Sequence, residues 1–150
     1  MNVEKIISGG QTGVDRAALD VAMSLGIPCG GWCPAGRKAT DGVIPDKYPL
    51  RETATGEYSV RTEWNVRDSD ATLIINSGRL EGGTEVTARM AVTQGKPYLI
   101  VQLEAEDAAN AIIVWLADVQ PAILNIAGPR ETKRPGIYSQ TVKLIHAVFA

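Results

Sequence analysis

Two stretches of this chain combine glycine with hydroxyl-bearing residues at a change of periodicity: Ser8-Gly9-Gly10-Gln11-Thr12-Gly13-Val14-Asp15-Arg16 and Gly82-Gly83-Thr84. Each follows an apolar run and leads into a helical pattern. Glycine at such a turn admits positive φ and leaves the main chain bare to a ligand. The unbonded N–H groups of the following helix then face that ligand, and the helix dipole favours an anion. Neither turn has the dinucleotide spacing, and no Gly-Lys-Ser/Thr follows to make a Walker A loop. Gly9, Gly10, Gln11, Thr12, Gly13, Gly82, Gly83 and Thr84 are therefore candidate binding residues for an anionic ligand. Arg16, Arg37, Lys38, Arg61, Arg79 and Arg130 lie in or beside loops of this kind, or on a polar helix face. Guanidinium groups match phosphate and other oxyanions bidentately. Trp32, Tyr58 and Trp64 are available to stack on a flat ring.

Other chemistry is poorly provided for. Ser8 and Ser77 have no histidine near in sequence, and His146 stands alone, so a Ser-His arrangement is not evident. Cys33 beside Arg37 and Lys38 is a candidate for a lowered thiol pKa, without an evident base. Asp15, Glu63, Asp68, Asp70 and Glu85 offer carboxylates, and none is visibly paired. Cys29 and Cys33 form a single C-x3-C pair, too few ligands for a closed zinc site.

The elements that must position these residues alternate. Residues 3–8 read as a buried strand. Over 14–25, Val14, Ala17, Ala18, Val21, Ala22 and Leu25 form one helical stripe, with Asp15, Arg16, Asp20 and Ser24 opposite. Gly26 ends that helix, and residues 27–29 suggest a short strand. Residues 30–49 lack periodicity, and a loop that long in a compact domain is usually functional or disordered. The Trp, Cys and basic residues in it favour the functional choice. Residues 58–67 predict a helix with Tyr58, Arg61, Thr62 and Asn65 on one polar face. A strand over 70–75 and a helix over 84–94 follow, the latter closed by Gly95. A strand over 98–103, a helix over 107–116, a strand over 121–127 and a last helix complete the pattern. Strands alternating with helices predict an α/β, doubly wound, mainly parallel sheet. In such a sheet the two glycine turns share the carboxyl edge.

At 150 residues the chain is expected to form one domain, 1–150, that buries about two-thirds of its unfolded surface. It is 45% apolar and 21% charged, with net charge −2 and pI near 5.4. That balance argues against bulk nucleic-acid binding, which wants a basic face. No run reaches the roughly 18 apolar residues of a membrane span, and no signal peptide is read. A cytoplasmic address with reduced thiols is expected.

The chain resembles the putative molybdenum carrier family, relatives of the molybdenum cofactor carrier protein in a superfamily that also holds the lonely-guy phosphoribohydrolases. The residues that carry the resemblance are Ser8 to Arg16, Gly31-Trp32-Cys33-Pro34 with Gly36-Arg37, and the run Arg61-Thr62-Glu63-Trp64-Asn65-Val66-Arg67-Asp68-Ser69-Asp70. Gly82-Gly83-Thr84, Ala127-Gly128-Pro129-Arg130-Glu131 and Pro135-Gly136-Ile137-Tyr138 complete them. The resemblance implies a Rossmann-like fold, a pocket at the strand ends, and a homo-oligomer, dimer or tetramer, with molybdoenzymes as partners. It implies a non-catalytic carrier of molybdenum cofactor (molybdopterin), a flat pterin with a phosphate, whose metal is held by the pterin's own dithiolene. The binding set on this reading is Gly9, Gly10, Gln11, Thr12, Gly13, Arg16, Trp32, Arg37, Lys38, Arg61, Asn65, Gly82, Gly83, Thr84 and Arg130, with no catalytic residue and no protein metal ligand. The alternative is a nucleoside 5′-monophosphate phosphoribohydrolase. Against it, the cousins' glutamate three residues after Gly-Thr is Thr87 here, and Glu85 points about 200° away on the helix. In the carrier pattern a basic residue stands at Ala35 and an acidic one at Thr40. Single-stranded DNA binding, seen elsewhere in the superfamily, is a third and weaker reading.

Overall fold

The computed structural model describes residues 3–150, so the first two residues of the expected 1–150 domain lie outside it. The elements are β1 (Lys5–Ile7), α1 (Val14–Ser24), β2 (Cys29–Gly30), β3 (Trp32–Cys33), β4 (Lys38–Ala39), β5 (Gly42–Val43) and β6 (Arg51–Glu52). They continue with α2 (Tyr58–Arg67), β7 (Ala71–Asn76), α3 (Gly82–Thr93), β8 (Tyr98–Gln102), α4 (Ala108–Val119), β9 (Ile123–Ala127) and α5 (Ile137–Phe149). The fold is α/β and Rossmann-like. Five strands form a sheet in the order β2-β1-β9-β7-β8, and every pairing in it is parallel.

Burial follows from this placement. β7 lies inside the sheet and all six of its residues are buried, as expected of a parallel strand covered on both faces. β8 is an edge, and Tyr98, Ile100 and Gln102 are exposed. On one face α1, α4 and α5 pack on Ile6, Leu73, Ile75, Leu124 and Ile126. On the other, α2 and α3 pack against each other, with α3 against β7. The sheet side chains turned away from the main core include Ile7, Thr72, Ile74, Asn76 and Asn125, mostly polar and all buried.

β9 comes late in the sequence yet sits in the middle of the sheet. Counting β9 first turns the order into 3-2-1-4-5, a doubly wound arrangement. Chain direction therefore diverges at β9, toward β1 on one side and β7 on the other. The crevice outside the carboxyl ends at such a divergence is where ligands bind in open α/β sheets.

Residues 34–57 form no large element. A β4–β5 hairpin and a short β3–β6 pair frame them, and Ile44, Tyr48 and Leu50 pack with Cys33 on Leu19 of α1 in a second small core. This covers the side of α1 expected to face solvent: Asp15 and Arg16 are 6% and 9% exposed. Among the described residues no helix is long and apolar enough to cross a membrane.

Candidate functional site

Three loops leave the carboxyl ends of β1, β9 and β7 and are knitted together. Val14 N–H donates to Pro129 O at 3.2 Å, and Glu131 N–H to Thr12 Oγ1 at 3.3 Å. Arg134 reaches across from the β9 loop to Ser77 O at 2.8 Å and to Glu81 Oε1 at 3.0 Å. Between them opens a cavity of about 280 Å³, whose lining includes Gly9, Gln11, Asp15, Arg61, Gly82, Gly83, Thr84, Asn125 and Arg130. That is near the lower end of the usual range for small-molecule sites, about 300–1,000 Å³.

One end of the cavity is cationic. The N-cap of α3, Glu81, makes no side-chain cap, because its carboxylate is held by Arg134 and faces Lys133 Nζ at 3.8 Å. The first-turn N–H groups of α3 therefore have no side-chain cap among the described residues and border the cavity, along with Lys133 and the exposed Arg130. Uncapped helix N–H groups beside two cations favour an anion.

The opposite end holds a buried ion pair. Arg61 Nη1 donates to Gly9 O at 2.8 Å and stands 3.7 Å from Asp15 Oδ2. Gly9 must be glycine for this approach, since a Cβ there falls 2.3 Å from Arg61 Nη1. Burial pushes the Asp15 carboxyl above the usual carboxylate range, while Arg61, the Gln11 N–H, Ser8 and Arg16 pull it back. Tyr58 and Thr62 complete this wall. The polar face predicted for α2 thus points inward: Tyr58, Arg61, Thr62 and Asn65 all line the cavity.

Of the fifteen candidate residues, Gly9, Gln11, Arg61, Asn65, Gly82, Gly83, Thr84 and Arg130 line this cavity. Gly10, Thr12, Gly13, Arg16, Trp32, Arg37 and Lys38 do not. Arg16 is a clamp, donating to Gly10 O and, bidentately, to Asp41 at 2.8 and 2.9 Å, and Arg16 is what holds the Asp41 carboxyl below its ordinary range. Arg37 gives its guanidinium to the carbonyls of Ile44, Leu50, Pro45 and Tyr48. Its charge is spent on folding the 44–50 segment. Trp32 meets Trp64 edge-on at 4.8 Å and donates to Asp68. Lys38 lies 5.0 Å over the Tyr58 ring. Even within the cavity, Asn65 is occupied by both backbone groups of Trp32. Gln11 Oε1 accepts from Thr12 N, Thr40 N and Thr40 Oγ1, so the threonine standing where the carrier pattern has an acid ties the loop to the first glycine turn. Asp15, Glu81, Asn125, Lys133 and the positioning Arg134 are the residues the sequence reading did not place. Cys29 and Cys33 are free thiols.

The profile of the circularly permutated YpsA SLOG family matches residues 6–149. The chain belongs to that family. The permutation in the SLOG family's name agrees with the strand order, in which the strand that opens a doubly wound sheet arrives last. A solved structure, that of the putative molybdenum carrier protein of Syntrophus aciditrophicus SB, is 49% identical to this SLOG chain, with a TM-score of 0.96. The likeness covers 99% of this chain and 96% of that one. No curated protein matches the chain.

Proposed function

We propose that this protein binds and carries a phosphorylated ring compound, molybdenum cofactor or a close chemical relative, without transforming it. The observation that carries the reading is the junction of the three loops at the sheet's divergence point. It offers the uncapped N-terminus of α3 with Arg130 and Lys133 for a phosphate, and Tyr58 with the Asp15–Arg61 pair for a ring. The name of the Syntrophus aciditrophicus protein is consistent with it. The donor set suits an organic anion: among the described residues no three His, Cys, Asp or Glu side chains gather as metal ligands. When bound, the cofactor brings its own dithiolene to hold molybdenum. We further propose a cytoplasmic homo-oligomer, dimer or tetramer, that hands its cargo to molybdoenzymes. The exposed Tyr98 and Ile100 of edge strand β8, with Val92 of α3, support a contact between copies. The decisive experiment is the mass and absorbance spectrum of the small molecule that co-purifies with the protein. A pterin phosphate is the expected result.

One observation favours a second reading. Thr87 offers no carboxylate, and its hydroxyl bonds back to Gly83 O at 3.0 Å, yet Asp15 brings a buried carboxyl to Arg61 from another element. A carboxylate held in place can stabilise positive charge that develops at a ribosyl centre. Incubation with nucleoside 5′-monophosphates tests it. Release of free base, abolished by Arg61→Ala, makes the protein a nucleotide N-glycosidase instead.

A further inference from the structure

Asp15 sits in the first turn of α1, 6% exposed, and its carboxylate is only half used. Oδ2 accepts the Gln11 N–H at 3.2 Å and faces Arg61. Oδ1 accepts no hydrogen bond from the described residues. The Ser8 hydroxyl lies near enough to favour the carboxylate, but its single proton goes to Ile126 O at 2.6 Å. Among the described residues the side-chain atoms sealed from solvent without a partner are Asn76 Oδ1 and Thr141 Oγ1, so Asp15 Oδ1 is open to the cavity that Asp15 lines, where a ligand donor can complete it. The amide of Asn65 beside it is already spent on Trp32.

The position of this acceptor specifies the ligand further. β1 and β7 flank β9, so the loops that leave them stand two strand spacings apart, about 10 Å. The N-terminus of α3 and Asp15 border the same cavity, so a heterocycle attached to a phosphate at that N-terminus can extend its far edge toward Asp15. The Asp15–Arg61 pair carries no net charge, so this end suits a neutral ring edge rather than a second phosphate. Tyr58 is the aromatic wall beside it.

We propose that Asp15 Oδ1 accepts a ring N–H together with the adjacent exocyclic amino group, so that the cavity selects phosphorylated heterocycles with the 2-amino-4-oxopyrimidine edge of guanine and the pterins. This rests on the cavity being the phosphorylated-ring site proposed above. Hypoxanthine keeps the N–H but lacks the amino group. Adenine turns an acceptor nitrogen toward the carboxylate, and two acceptors repel.

Titration calorimetry of the purified protein with GMP, IMP and AMP tests the proposal. GMP is expected to bind at least about tenfold more tightly than IMP, the usual worth of a hydrogen bond to a charged group, with AMP weakest. In Asp15→Asn the Gln11 N–H holds the amide oxygen at the Oδ2 place, so the amide NH₂ takes the Oδ1 place and an acceptor becomes a donor. The ratio of GMP to IMP affinity should then fall to about one or below. A measurement that needs no variant guards against misfolding: N1-methyl-GMP should lose at least about tenfold against GMP on the unaltered protein. Equal affinity for GMP and IMP, a ratio unchanged in Asp15→Asn, or tolerance of the N1-methyl group overturns the proposal and leaves the cavity reading standing. Failure of all these nucleotides and of 6-hydroxymethylpterin phosphate to bind overturns both.

Discussion

Arg61 Nη1 stands 3.7 Å from Asp15 Oδ2, and the two side chains are only 11% and 9% exposed. The pair joins α2 to the first turn of α1 across the glycine turn, with Gly9 O as a third member. Removing one partner leaves the other buried and uncompensated. Arg61→Leu is expected to cost about 3 kcal/mol, and Asp15→Asn in the same chain should restore a large part of it. A double-mutant cycle in urea measures this directly, and simple additivity would mean that the two groups are not coupled.

Gly83 separates binding from folding. A Cβ at that position meets no atom within 4 Å, so Gly83→Val should change stability by no more than about 0.5 kcal/mol. The isopropyl group would nevertheless stand among the free N–H groups of α3. Affinity for GMP should drop by more than about tenfold, the loss of one charged hydrogen bond. Calorimetry beside a thermal melt checks both halves, and retained affinity removes this loop from the site.

Asp20 holds two phenols. Tyr48 Oη donates to its Oδ1 at 2.7 Å, and Tyr138 Oη donates to its Oδ2, which ties the 44–50 segment and α5 to α1. Burial and then Asp20 push Tyr138 up to about 12, and Tyr48 is raised for the same reasons. Above the ordinary phenol value of 10.0, the unfolded chain loses protons that the folded chain keeps. The contribution of these phenols is therefore complete below that pH and declines as pH climbs toward their folded values. Urea unfolding at pH 8, 10 and 11 should show a steeper loss for the unaltered protein than for Tyr48→Phe/Tyr138→Phe. At pH 8 the double variant should be less stable by about 1 kcal/mol for each lost hydrogen bond.

Much of the architecture was legible because it is local. Alternating apolar runs and amphipathic stripes marked the five strands of the main sheet and the five helices, and the helix expected over 58–67 has those bounds. Its polar face reads as a wall of the cavity for the same reason, since spacing alone puts Tyr58, Arg61, Thr62 and Asn65 together. What spacing does not carry is partnership over distance. Arg16 meets Asp41 twenty-five positions on, and Arg37 meets four carbonyls of a loop with no periodicity. Both guanidiniums therefore looked like ligand groups and are structural. Asp15 looked like part of a solvated helix flank because residues 34–57 gave no sign that they fold over α1. Its one local signal is its place two residues after the glycine turn, in the first turn of the helix.

The strand order has a consequence for how the molecule is made. A ribosome delivers β1 and β7 well before β9, the strand that must lie between them. Until it emerges, β1 and β7 lack the strand that joins them into one sheet. Arrival of β9 fills that place and brings the Pro129–Arg130 corner with it, so the chain acquires its central hydrophobic contacts and the cavity between the three loops in a single late event.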